Sequence, residues 1–349
     1  MRKTGYVVFC EDKFYLLWQL EVFLHSLTNR AKISEKDIIV LYADPNYFDP
    51  NTEWSISPYL EGIFNSYPEI QHHSVQNWGR KNWYYRFQDN GTWHPKQYAG
   101  INKWLSLCEA ANAGWLDSFQ EILLLEQDLW FSESLPSLPK GNCVTANWLC
   151  DRERAFGVDD KTDKENTEGF NLNDIMNLCK VPQKNQNLWT SGAIIFKFIT
   201  TQLKKSEFLN AIANYHQLLM TLSELALPQG ARHETDMVAP SLAMAHCGMK
   251  CKTIDDIAWK SDVWTYHEEL PKNGLVHYGW DFSHHPHLKS SFAKAAFNHT
   301  TPWEDDTFLR LEYHDLPFQW LKDFYDDLLV LRFNDIDRAC FKSHSHPVI

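Results

Sequence analysis

Asp37-Ile38-Ile39-Val40-Leu41-Tyr42-Ala43, closed by Asp44-Pro45, is the stretch whose reading decides the fold. Its apolar run is continuous rather than alternating, as expected of a strand buried on both faces, and Asp44-Pro45 is turn chemistry that ends it. Upstream, Leu16, Leu20, Phe23, Leu24 and Leu27 recur at helical spacing, which predicts a helix over Tyr15 to Leu27. Before that helix, Tyr6-Val7-Val8-Phe9-Cys10 is another short apolar run. The chain therefore opens β-α-β, which favours a parallel sheet with right-handed crossovers.

Downstream, Asn46 to Tyr98 is rich in aromatics, Asn and Pro and shows no period. Ile101 to Ala113 predicts a helix with Leu105, Leu107, Cys108 and Ala111 inward and Gly114 at its end. Glu121 to Leu125 reads as the next buried strand, and Val144-Thr145-Ala146 as another. Asp151 to Asn187 is polar and charged and reads as a surface insertion over the site. Thr190 to Phe196 is a turn entering a strand, Leu203 to Leu225 and Glu234 to Cys247 are helical, and Leu275 to Tyr278 is a short strand. Pro317 to Phe333 predicts an amphipathic helix. No repeat or Gly/Ser/Pro linker divides the chain. The expected organisation is one domain over residues 1–300, followed by a C-terminal helical extension over 301–349.

The bulk composition narrows the function classes. Of 349 residues, 44% are hydrophobic and 22% charged, which is globular usage. The 15 Trp favour clefts that bind with an apolar face and a polar tip, although Trp also fills cores. A net charge of −12 argues against broad attachment to nucleic acid or anionic lipid. No apolar stretch reaches the roughly 18 residues of a membrane span, and Tyr6 to Cys10 is too short for a signal-peptide core. The eight cysteines form no CxxC pair, so the expectation is reduced thiols and a cytoplasmic location.

Five segments carry candidate chemistry. Glu126-Gln127-Asp128 follows the apolar run Leu123-Leu124-Leu125. Strand alternation would put Glu126 and Asp128 on one face at a sheet end, where α/β ligand sites lie. Two such carboxylates suit a divalent cation that holds a diphosphate; a solvated strand end is the other reading, and the segment alone does not separate them. Tyr98-Ala99-Gly100-Ile101-Asn102-Lys103 opens a helix, whose N-terminus with Lys103 suits an anion. Trp189-Thr190-Ser191-Gly192 is a small turn that allows close backbone approach, or an ordinary tight turn. Glu234 and Asp236 open a helix and can either orient an acceptor hydroxyl or serve as caps. His277, at the end of a strand, can supply an imidazole to a metal; His284, His285 and His287 lack zinc spacing and read as a polar loop.

In the order Tyr98 to Lys103, Ile122 to Asp128, Thr235-Asp236-Met237-Val238-Ala239 and Val276-His277-Tyr278-Gly279, these segments resemble the nucleotide-sugar glycosyltransferases of the GT-A fold. More narrowly, they are similar to the hydroxyproline O-arabinosyltransferase and peptidyl-serine galactosyltransferase group. The resemblance runs from about Tyr6 to Lys294. It implies an α/β fold with a Rossmann-type mixed sheet flanked by helices, divided into a donor half to about residue 135 and an acceptor half over 136–300. It also implies metal-dependent transfer, with retention, from a nucleoside-diphosphate sugar, a UDP-sugar first, to a hydroxyl acceptor that can be a peptide, glycan or small molecule. In such a family Asp128 is the main metal carboxylate, His277 the third ligand, and Glu126 touches ribose or metal. Glu126 stands where the usual motif has Asp, so it is longer by one methylene. The metal expected is Mn2+, with Mg2+ second. The donor-binding set on this reading is Phe9, Asp44, Asn102, Lys103, Glu126, Ser191, Gly192 and Lys289, and the catalytic pair is Asp236 and Glu234. No nucleic-acid partner and no membrane span are expected.

Two other classes compete. A non-catalytic nucleotide-sugar-binding protein could use the same fold. A nucleotidyltransferase would want a Gly-rich, basic loop after the first strand, where this chain has Cys10-Glu11-Asp12-Lys13-Phe14.

Overall fold

The chain alternates strands and helices in the order β1 (Thr4–Glu11), α1 (Phe14–Asn29), β2 (Ile38–Ala43), α2 (Pro58–Ser66), β3 (Gln71–Ser74), β4 (Trp83–Phe87), β5 (Trp93–Gln97), α3 (Asn102–Asn112), β6 (Glu121–Leu125), β7 (Leu129–Phe131), β8 (Asn142–Thr145), β9 (Phe196–Ile199), α4 (Thr200–Leu203), α5 (Ser206–Leu225), α6 (Thr235–His246), β10 (Cys251–Ile254), β11 (Trp259–Lys260), β12 (Leu275–His277) and α7 (Gln319–Leu331). This computed structural model describes residues 3–45, 53–78, 83–87, 93–97, 99–135, 138–145, 176–177, 179–188, 195–204, 206–225, 235–254, 259–260, 274–277, 301–303, 319–334 and 336.

A mixed seven-stranded sheet runs in the order β3-β2-β1-β6-β9-β8-β10. β1 pairs in parallel with β2 (Tyr6 opposite Ile38) and with β6 (Val8 opposite Leu125). β2 pairs in parallel with β3, and β8 with β10. The parallel sheet expected from the opening β-α-β thus covers the first half, but β9 runs antiparallel to both β6 and β8. No feature of the Phe196–Ile199 run marks that reversal, because a buried strand is apolar in either direction.

The continuous apolar runs reflect cover on both faces. Val8, Cys10, Ile38, Val40, Leu123 and Leu125 face one core with α1, α2 and α7. Val7, Ile39, Leu41, Ile122 and Leu124 face the other with α3, α5 and α6. Each fully buried aliphatic side chain contributes about 2 kcal/mol from its area removed from water. α3 ends at Asn112, and Gly114, expected at the helix end, follows Ala113 with a φ of 82°, a left-handed conformation that suits glycine.

α7, from the predicted C-terminal extension, packs against α1 through Trp320, Phe324, Leu328 and Leu331 in the first core. Asp327 anchors it: its Oδ2 accepts from Arg30 Nε at 2.6 Å and from Trp130 Nε1 at 2.7 Å. Burial pushes the Asp327 carboxyl up, but donors on His25, Arg30 and Trp130 outweigh it and hold the carboxyl below its usual value. The polar insertion predicted over 151–187 lies mostly outside the described residues. Its described end differs from the expectation, since Met176, Cys179 and Val181 are buried in the second core.

His216 lies on α5 and is 2% exposed. Burial pushes its imidazole down to about 3. The folded state therefore keeps His216 neutral, whereas the unfolded chain takes up a proton below about 6.5. Acidification then favours unfolding between about 6.5 and about 3, by about 1.4 kcal/mol per pH unit from this residue. Denaturant unfolding of the wild type and His216→Leu at pH 7 and pH 5 is expected to show a smaller acid loss in the variant. Equal losses in both proteins would contradict this assignment.

Among the described residues, no helix is long and apolar enough to cross a membrane. Cys10, Cys108, Cys143 and Cys179 are buried free thiols, and Cys247 and Cys251 are half-buried free thiols.

Candidate functional site

The sheet's strand order reverses direction beside β1. From β1 the chain steps outward to β2 and β3, then returns to place β6 on the other side of β1. Such a switch point leaves a crevice beyond the carboxyl ends of the two diverging strands. A cleft of about 250 Å³ lies there, lined by residues that include Phe9, Glu11, Lys103, Glu126 and Asp128. Leu16 of α1 and Gly100, from the turn of 3-10 helix Ala99–Ile101, complete its walls.

The two acids reach the cleft by a different route from the one the sequence suggests. β6 stops at Leu125 and β7 begins at Leu129, so Glu126, Gln127 and Asp128 form a turn between strands. Strand alternation does not apply to a turn, and Gln127 lines the cleft together with both acids. Asp128 is buried while Glu126 is half-buried. Glu126 Oε1 lies 2.6 Å from Lys103 Nζ, an ion pair that ties the start of α3 to this turn.

A buried polar network supports the floor. Asn102, fully buried, donates from Nδ2 to Glu11 Oε1 at 2.9 Å and to Asn77 Oδ1 at 3.0 Å. Asn77 Nδ2 in turn donates to the Asp44 carbonyl. Lys13 Nζ lies 2.6 Å from Glu11 Oε2. Burial pushes the Glu11 carboxyl up, against the opposing pull of Lys13 and Asn102. Asp12 is likewise pushed up by burial, countered by hydrogen bonds from Ser57. Ser57 donates from its backbone N–H to Asp12 Oδ2 at 2.7 Å and caps α2 by accepting from Leu60 N–H at 3.1 Å. The end of β1 is therefore fixed to α2, to α3 and to the β2 end.

Of the residues proposed from sequence, Phe9, Lys103, Glu126 and Asp128 line one cleft. Asn102 braces it from within rather than lining it, because its amide is committed to Glu11 and Asn77. Asp44 joins the same network through its backbone carbonyl. β12 pairs antiparallel with β7, setting His277 opposite Leu129, the residue after Asp128. Asp236 falls in the first turn of α6. Glu234, Ser191, Gly192 and Lys289 lie outside the described residues. Glu11 is absent from the candidate residues read from the sequence, where Cys10-Glu11-Asp12-Lys13-Phe14 counts only as a loop without the glycines of a nucleotidyltransferase. Its signal was available: an acid at the carboxyl end of a first parallel strand points at the switch-point crevice.

The donor set bears on a divalent cation. Asp128 supplies carboxylate oxygens at the cleft, and the β7–β12 pairing brings the His277 main chain beside it. Among the described residues, no group of three His, Cys, Asp or Glu side chains surrounds a common point.

No family model matches the chain, and no curated protein matches it significantly.

Proposed function

We propose that the cleft beyond β1 and β6 binds a nucleoside-diphosphate sugar with a divalent cation, and that the protein transfers the sugar to a hydroxyl acceptor. The observation that carries this reading is the convergence of Asp128, Glu126 and Lys103 on one cleft at a topological switch point. A fold of the GT-A type, expected from the resemblance, agrees with the mixed sheet and its flanking helices but is part of the same proposal.

In this reading Asp128 and His277 would hold the metal, and Mn2+ is the ion the resemblance puts first. The bound cation would neutralise charge developing on the departing diphosphate. Lys103 supplies a second positive charge to the phosphates, and the buried Asn102–Glu11–Asn77 network fixes the floor on which the donor rests. Phe9 offers an aromatic wall at the same cleft. Asp236, in the first turn of α6, and Glu234 are assigned to orienting the sugar or the acceptor; with retention, the leaving phosphate itself takes the acceptor proton. Ser191, Gly192 and Lys289 remain in the proposed donor set on the strength of the sequence.

A nucleotidyltransferase is disfavoured by the connection from β1 to α1. It consists of Asp12 and Lys13, with no glycine to bring backbone N–H groups around a triphosphate.

Thermal unfolding screened against nucleotide-sugars, with and without Mn2+, tests the proposal. A native-state ligand raises apparent stability by an amount that grows with concentration over Kd, about 2.7 kcal/mol at 100 times Kd. The expected result is stabilisation by one nucleotide-sugar that needs the metal, together with slow release of free sugar from that donor. Binding without release or transfer on any acceptor would favour the non-catalytic reading. No stabilisation by any nucleotide-sugar would contradict both.

A further inference from the structure

We propose that the Lys103–Glu126 ion pair is a latch that makes entry of a diphosphate into the cleft depend on a cation. The inference rests on the reading of the cleft as a diphosphate site and describes how that site is controlled.

Lys103 Nζ and Glu126 Oε1 are 2.6 Å apart, with side chains 14% and 17% exposed. Both line the cleft alongside the carboxylates of Glu11 and Asp128. Lys103 is the cationic side chain among the lining residues, so an entering anion draws on it first. To do so the anion must displace Glu126. Displacement without a cation leaves Glu126 near Asp128, two like charges, beside an added anion in a partly desolvated space. A divalent cation removes that penalty by compensating the carboxylates while the phosphate takes over Lys103. Metal and diphosphate therefore assist one another, and the coupling is reciprocal. The exchange also gives the longer Glu126 a role distinct from Asp128: it holds Lys103 until a diphosphate enters and is then released.

The test is titration calorimetry of inorganic pyrophosphate into the full chain, first with EDTA and then with Mn2+ in excess. In EDTA, Glu126→Gln is expected to bind pyrophosphate about 10-fold more tightly than wild type, because Lys103 is already released. With Mn2+ that advantage is expected to vanish or reverse, because the cation then gains from the released Glu126 carboxylate in the wild type and has no such partner in the variant. Glu126→Ala carries the same expectation, and Lys103→Met is expected to bind weakly under both conditions. Equal affinities of wild type and both Glu126 variants in EDTA overturn the latch. A gap of unchanged size with Mn2+ also overturns it, because that is simple removal of a negative charge. In either case, tight binding by wild type with Mn2+ leaves the diphosphate reading standing. Failure of every protein to bind pyrophosphate under both conditions overturns the latch and the diphosphate reading together.

Discussion

Asp128→Asn is expected to lower Mn2+-dependent sugar transfer by about 100-fold or more while leaving the fold intact. The amide keeps the size and one acceptor oxygen of the carboxylate but loses the charge a divalent cation requires. Asp128 sits in the turn between β6 and β7, at the cleft, and contributes no strand hydrogen-bond register that the substitution would disturb. Circular dichroism of the unliganded variant should match the wild type, and stabilisation by donor plus Mn2+ should disappear. Steady-state transfer, or donor hydrolysis where no acceptor is identified, reads the effect. Full activity of Asp128→Asn would remove the residue from the metal site and leave Glu126 as the remaining acid of the turn.

Lys197→Met is expected to destabilise the protein by about 3–5 kcal/mol, the cost of leaving one member of a buried pair uncompensated. Lys197 lies in β9, an interior strand antiparallel to both its neighbours, and is 3% exposed. Its Nζ is 3.0 Å from Glu121 Oε2 and donates to the Pro139 carbonyl at 2.5 Å. Glu121, at the start of β6, is itself buried. Met preserves the unbranched chain and its packing, so the loss measured is chiefly the charge and its hydrogen bonds. The double variant Lys197→Met, Glu121→Gln should recover much of the loss, because no buried charge then remains. Urea unfolding of the single and double variants measures this. A single variant within about 0.5 kcal/mol of wild type, the usual range for a surface change, would show that the pair is solvated.

These two sites show what was legible in the sequence and what was not. β1, α1, β2, α3 and β6 could be read directly because their apolar residues form long runs or helical stripes that only burial explains. α2, β3, β4 and β5 fall in the aromatic stretch where no period appeared. Ser57-Pro58 is a helix-start signal, but α2 is held there by the bond from Ser57 to Asp12, 45 residues away. β3, Gln71-His72-His73-Ser74, carries no aliphatic residue and sits at the sheet edge. It is held by pairing with β2 and by stacking of His72 on Phe64 and His73 on Trp115, which are tertiary contacts. Lys197 lies between Phe196 and Phe198, and its partner Glu121 is 76 positions away, so nothing local marks the pair.

The candidate site was legible in part for the same reason. Acids after an apolar strand locate a sheet end, and that much needed only the run Leu123 to Asp128. That β6 stands next to β1, bringing Glu11 and Phe9 to the same crevice, is a matter of strand order and becomes visible only in three dimensions. The Lys103–Glu126 contact likewise depends on how α3 lies against the sheet.

The most direct measurement is titration calorimetry of uridine diphosphate into the wild type and Asp128→Asn, each with Mn2+ and with EDTA. The account predicts a single saturable site in the wild type that is strong with Mn2+, weak in EDTA and lost in Asp128→Asn. Binding of equal strength in all four titrations, or in none of them, would contradict it.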